Sequence, residues 1–120
     1  MNGWVDTGGR ALLSITLKPS VQSSPTQLEA WIDTGFTGDL VLPQVTISTL
    51  GLPQSGTVGA ELGDGSGVLM NTYTCLLDWF GQEKQIEVVA NNGQHPLLGI
   101  GLLWDHKLTV DYLSLTLTID

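Results

Sequence analysis

Short apolar segments of period two, each cut off by glycine or proline, run through this chain and point to a β fold. From Leu13 onward, Ala11-Leu12-Leu13-Ser14-Ile15-Thr16-Leu17 alternates as a half-buried strand does. Lys18 to Pro25 holds two prolines and three serines and reads as a turn. Thr26 to Ile32 follows, with Leu28, Ala30 and Ile32 on one face. The two segments make a hairpin that leads directly into Asp33.

Beyond it, Gly35 and Gly38 mark a loop and Leu40-Val41-Leu42 a short buried strand. Pro43 suits the first turn of a helix over Val45 to Leu50, ended by Gly51 and Pro53. Val58 to Leu62 and Val68 to Leu76 flank Gly63-Asp64-Gly65-Ser66-Gly67, a hairpin tip of glycines around Asp and Ser. The second arm runs on to Asp78, and Phe80-Gly81-Gln82 turns the chain into Gln85 to Ala90. Pro96 to Trp104 ends in one or two helical turns. Lys107 to Asp111 and Leu113 to Ile119 close the chain as a hairpin, with Leu113, Leu115, Leu117 and Ile119 in strict alternation. The sum is about nine strands and one or two short helices, an all-β domain spanning residues 1–120.

Composition narrows the function. Four basic residues stand against 12 acidic ones, a net charge of −8. No basic patch is available to neutralise phosphates, so nucleic acid is not an expected partner. No apolar run approaches the roughly 20 residues of a membrane span, and Met1 to Arg10 lacks the basic and apolar regions of a signal peptide. A cytoplasmic protein with no membrane contact is the expectation. Cys75 is the only cysteine and reads as a small buried hydrophobe. His95 and His106 are isolated, and no Cys/His/Asp spacing resembles a metal site, so neither metal nor cofactor is expected. Ser66 has no His to act as its base, and the Gly63 to Gly67 stretch lacks the Lys of a phosphate loop.

One constellation remains. In Trp31-Ile32-Asp33-Thr34-Gly35-Phe36-Thr37-Gly38 an apolar strand delivers a carboxylate into a glycine-containing loop. Such a carboxylate is a candidate general acid or base. The tripeptide also occurs as Asp6-Thr7-Gly8, where it precedes the first expected strand and reads as a turn. Trp31 and Phe36 flank the second copy and are expected to pack beside it. Trp4, Trp79 and Trp104 read as core or edge packing.

The order from Ala11 to Ile119 resembles the retroviral-type (retropepsin-like) aspartic proteases. It runs apolar strand, Asp-Thr-Gly, Leu-Val-Leu-Pro, glycine-tipped hairpin, Leu-Leu-Gly-Ile-Gly-Leu-Leu. The Asp-Thr-Gly-Phe form is closest to their short bacterial and archaeal relatives. The resemblance implies a half-barrel with a flap hairpin and a homodimer that cleaves peptides. It implies that Asp33 is the catalytic aspartate and that Thr34 hydrogen-bonds across the dimer axis. The Gly35 carbonyl would face the substrate. Gly63, Asp64, Gly65, Ser66 and Gly67 would form the flap tip, and Leu97-Leu98-Gly99 would pack behind the active loop. Phe36, Thr37 and Gly38 stand where retroviral enzymes carry Ala and acidic residues that bind substrate backbone, and Gly101 replaces a polar residue. The rival reading is a dimeric peptide-binding or scaffold module on the same fold.

The resemblance implies that two copies are needed, because aspartic-protease chemistry requires two carboxylates sharing one proton. Close carboxylates cannot both ionise easily, so one acts as base toward water while the other acts as acid. This chain has one qualifying aspartate, Asp33, and a twofold-symmetric homodimer would supply the other.

Overall fold

A computed structural model of the chain describes residues 1–61 and 63–120. Ten strands and two short helices follow in the order β1 (Asn2–Val5), β2 (Ala11–Lys18), β3 (Thr26–Ile32), β4 (Leu40–Pro43), α1 (Gln44–Leu50), β5 (Gln54–Glu61), β6 (Gly67–Trp79), β7 (Gln82–Asn91), β8 (Leu97–Leu98), α2 (Ile100–Leu103), β9 (Leu108–Asp111) and β10 (Thr116–Ile119). Leu62, the expected end of the first flap arm, lies outside the described residues. The strands form one sheet in the order β5-β6-β7-β4-β8-β3-β2-β1-β10-β9. A further antiparallel pairing of β2 with β6, Leu17 opposite Leu77, turns the middle of this sheet back on itself. The result is the half-barrel with a flap hairpin and two short helices that the sequence led us to expect.

Period-two patterning explains why the core lies where it does. Leu13, Ile15 and Leu17 of β2 meet Ala30 and Ile32 of β3, Leu40 and Leu42 of β4, Cys75 and Leu77 of β6, Ile86 and Val88 of β7, and Leu98 of β8, all buried. Burying one such Leu contributes about 1.5–3 kcal/mol. The helix α1 begins after Pro43, whose φ of −57° is compatible with the turn, and ends at Gly51, a left-handed cap (φ 70°). Pro43 therefore closes β4 and caps the helix; it is not in the first helical turn.

Three further expectations are corrected. Asn2–Val5 is a strand, pairing with β2 on one side and β10 on the other, so the first Asp-Thr-Gly does follow a strand. The last strand is shorter than its alternation suggests. Leu117 and Ile119 are buried, but Leu113 is 96% and Leu115 46% exposed in the turn joining β9 to β10, and Leu115 takes a φ of 59°. Trp104 packs into neither core nor edge: it caps α2 and is 73% exposed. No helix among the described residues is long and apolar enough to cross a membrane.

Candidate functional site

β8 is only two residues long, yet it organises the site. Leu97 and Leu98 pair in parallel with Trp31 and Ile32 of β3 and antiparallel with Val41 and Leu40 of β4. The loop from Asp33 to Asp39 is thus carried between two strands that flank the same short insert. Backbone hydrogen bonds extend the clamp past the strand ends. The Asp33 N–H donates to Leu98 O (2.9 Å), Gly99 N–H to Asp39 O (2.9 Å), Ile100 N–H to Phe36 O (2.8 Å) and Gly101 N–H to Gly38 O (2.9 Å).

That closeness leaves no room for side chains at two positions. A Cβ on Gly99 would lie 2.5 Å from the Phe36 ring and 2.7 Å from its carbonyl oxygen. A Cβ on Gly101 would lie 2.9 Å from the Gly38 carbonyl. Real Cβ atoms do not approach backbone so closely, so the loop and the Leu-Leu-Gly-Ile-Gly segment fit together only because both glycines lack one. The polar residue whose absence the sequence shows at Gly101 has no space here. Phe36 is half-buried, its ring lying against Gly38 and Gly99.

Asp33 is half-buried at the end of β3. Its Oδ1 accepts the Gly35 N–H (2.9 Å), and its carbonyl accepts the Phe36 N–H (3.2 Å), closing a tight turn over Thr34. Thr34 is exposed, and among the described residues its hydroxyl has no partner within the chain. Two positions past Asp33, the wall of a cleft of about 580 Å³ begins. Gly35, Phe36, Thr37, Gly38 and Asp39 form one side. Val58 to Glu61 of β5, Met70 of β6, and Glu87 and Val89 of β7 form the other. The β5–β6 hairpin therefore overhangs the Asp33 loop as a flap.

The tip of that hairpin lies apart from the cleft. Gly65 and Gly67 border a shallower hollow with Gly59, Ala60, Glu61, Val68 and Leu69. Asp64 Oδ1 accepts the Ser66 hydroxyl (2.6 Å) and N–H (2.9 Å). These bonds, the hydroxyl's first, hold the exposed Asp64 carboxyl below the usual carboxylate range. Gly65, with φ 86°, makes the turn possible. Gly63 is exposed beside it.

Sequence reasoning missed the middle of the flap and the acidic wall. Val58, Glu61, Met70, Asp39, Glu87 and Val89 line the cleft, and none had been singled out. A signal for two of them exists: Ile86, Val88 and Ala90 are buried, so Glu87 and Val89 must face the other side of β7. Asp39 is fixed by its position just before β4, where its Oδ2 accepts the Glu87 N–H (3.2 Å). Trp31 departs from expectation in another way. It alternates out of the core and borders a small depression with Arg10, Leu12, Glu29 and His95, away from the cleft.

Cys75 lies behind this region. Burial, with the negative charge of Asp39 adding to it, pushes its thiol up to about 12. It is a core residue and not a nucleophile.

No family model and no curated protein matches the sequence. Solved structures do. The chain is similar to a retropepsin-like aspartic protease from Rickettsia conorii, with 19% identity over 99% of this chain and 88% of that one and a TM-score of 0.65. It is similar to the EIAV protease complexed with the inhibitor HBY-793, with 17% identity over 83% and 90% of the two chains and a TM-score of 0.59. The protease of simian foamy virus (mac) follows, with 21% identity over 77% and 90% and a TM-score of 0.55. At such identities the likeness is one of architecture, and the architecture of this chain is the retropepsin-like fold.

Proposed function

We propose that this chain is half of an aspartic endopeptidase and that it works as a homodimer, Asp33 meeting its own copy across a twofold axis. One observation carries the reading: the half-buried Asp33, whose backbone N–H is clamped to Leu98 O at the end of β3, heads a loop that forms one wall of a cleft, with the β5–β6 hairpin on the other side. The two carboxylates would share one proton. The ionised member takes a proton from a water as that water attacks the peptide carbonyl, and the protonated member donates to the carbonyl oxygen. Thr34, exposed and without a partner among the described residues, would bond its mate and fix the two loops. An extended peptide would lie in the cleft as an added strand, with Gly35 O and the β5 backbone as its neighbours.

A second reading, a non-catalytic dimeric peptide-binding or scaffold module, is favoured by one observation. The Asp33 carboxylate already closes its own turn, as Asp6 does in a plain hairpin. The two readings separate on one assay. A pool of unfolded peptides is incubated from about pH 3 to about pH 7 with wild type and Asp33→Asn, at a concentration where sedimentation shows dimer. Cleavage by wild type alone, with an acid-shifted bell-shaped profile, is the expected result. Equal cleavage by both proteins removes Asp33 from the mechanism, and no cleavage by a confirmed dimer favours the scaffold.

A further inference from the structure

The cleft has two unlike surfaces. Val58, Met70 and Val89 present aliphatic and thioether groups from the flap strands and β7. Asp39, Glu61 and Glu87 contribute the ionisable side chains, all acidic, and no Lys, Arg or His lines the cleft among the described residues. Two of the four basic residues are engaged elsewhere, Arg10 with Asp6 (2.7 Å) and Lys18 with Glu83 (2.6 Å). Asp39, in the loop just before β4, is additionally fixed by the Glu87 N–H of β7, so two of the three carboxylates are held at neighbouring positions.

Lys and Arg side chains match such a surface from end to end: an aliphatic stem for the apolar wall and a charged head for the carboxylates. An acidic peptide side chain would bring like charge into the same space, where it is repelled. We propose that this cleft selects peptides with a lysine or arginine side chain seated between the flap and the Asp39–Glu87 pair. The inference rests on the cleft being the peptide groove of the proposed enzyme, and it names the substrate class that groove takes.

Binding to the Asp33→Asn dimer tests it without requiring catalysis. Fluorescence anisotropy compares labelled peptides identical except for one central residue, Lys, Arg, Gln or Glu. The Lys and Arg peptides are expected to bind about tenfold tighter than the Gln peptide, with the Glu peptide weakest and the difference shrinking as salt rises. Glu87→Lys should reverse the order. Glu29→Lys makes the same change of net charge on the outer face of β3 and should leave the order as it was. Equal binding of all four peptides overturns the proposal, as does no binding of any, or an equal loss of preference in Glu87→Lys and Glu29→Lys. Basic preference in Asp33→Asn together with no cleavage by wild type would leave this inference standing and remove the protease reading instead.

Discussion

The chain contains the same tripeptide twice, and the two copies fold alike but are placed in different company. In each, the Asp side chain accepts the N–H of the Gly two residues on, at 3.0 Å for Asp6 and 2.9 Å for Asp33. Each turn follows a strand, β1 or β3. The difference begins outside the three residues. Asp6 also accepts the Arg10 N–H (2.8 Å) and the Arg10 Nε–H (2.7 Å), so its charge is satisfied inside a simple β1–β2 hairpin. Asp33 has no cation partner among the described residues. Its turn opens onto a cleft and is tied to β8 from behind. The tripeptide therefore specifies a turn. Any chemistry comes from the neighbours that leave Asp33 without a cation partner among the described residues and set its loop along the wall of a cleft.

The largest test of this contrast is functional. Asp33→Asn keeps an oxygen to accept the Gly35 N–H but removes the acid, and kcat/KM on a cleaved peptide is expected to fall about a thousandfold or more. Asp6→Asn should leave it unchanged. A comparable loss from both would break the contrast.

Next in size is the packing behind the second turn. Gly99→Ala pushes a methyl group into the Phe36 ring and carbonyl, and is expected to cost about 1–3 kcal/mol or more in urea unfolding. Gly8→Ala meets only Asp6 Oδ1 at 3.5 Å and should stay within about 0.5 kcal/mol.

A smaller effect reads the same packing through Cys75. With its thiol pushed up to about 12, the native protein should react with a disulfide reagent at about pH 8 far more slowly than the unfolded chain. Gly99→Ala should speed that labelling, and Gly8→Ala should not.

The smallest expected effect belongs to Asp6. Its carboxyl is held below the usual range, first by the Arg10 N–H and then by the Arg10 side chain and the Gly8 N–H. A lowered folded value means the contribution to stability is present above the unfolded value, near 3.9, and is lost as pH falls through the folded one. Urea midpoints measured from about pH 5 down to about pH 2 should fall slightly less steeply in Asp6→Asn than in wild type.

How much of this was legible in the sequence depends on what each residue's signal required. The β2–β3 hairpin showed through local alternation and β4 through a short apolar run, and a proline and a glycine marked the ends of the helix after it. β1 did not, because Asn2-Gly3-Trp4-Val5 has no alternation and is held as a strand by pairing with both β2 and β10. The alternation of Leu113 and Leu115 was misleading. Leu115 sits in a left-handed turn conformation that its side chain pattern cannot reveal. Within the site, Asp33 and Leu97-Leu98-Gly99 stood out through their motifs. Asp39 and Glu87 did not, since a solvated acid on a strand looks the same whether it faces bulk water or a cleft. Only the curvature that brings the flap over the loop separates the two.

The clamp from Leu98 to Asp33 also sets a schedule. Loops held by distant segments form late, because chain closure must precede the contacts that reward it. As the polypeptide leaves the ribosome, the Asp33 turn can close locally, but its backing strand does not yet exist. The groove stays unassembled until β8 and the two glycines after it have emerged. A nascent chain would thus carry the Asp33 loop unsupported for most of its synthesis, and a protein cut short before residue 97 would lack the strand that backs it.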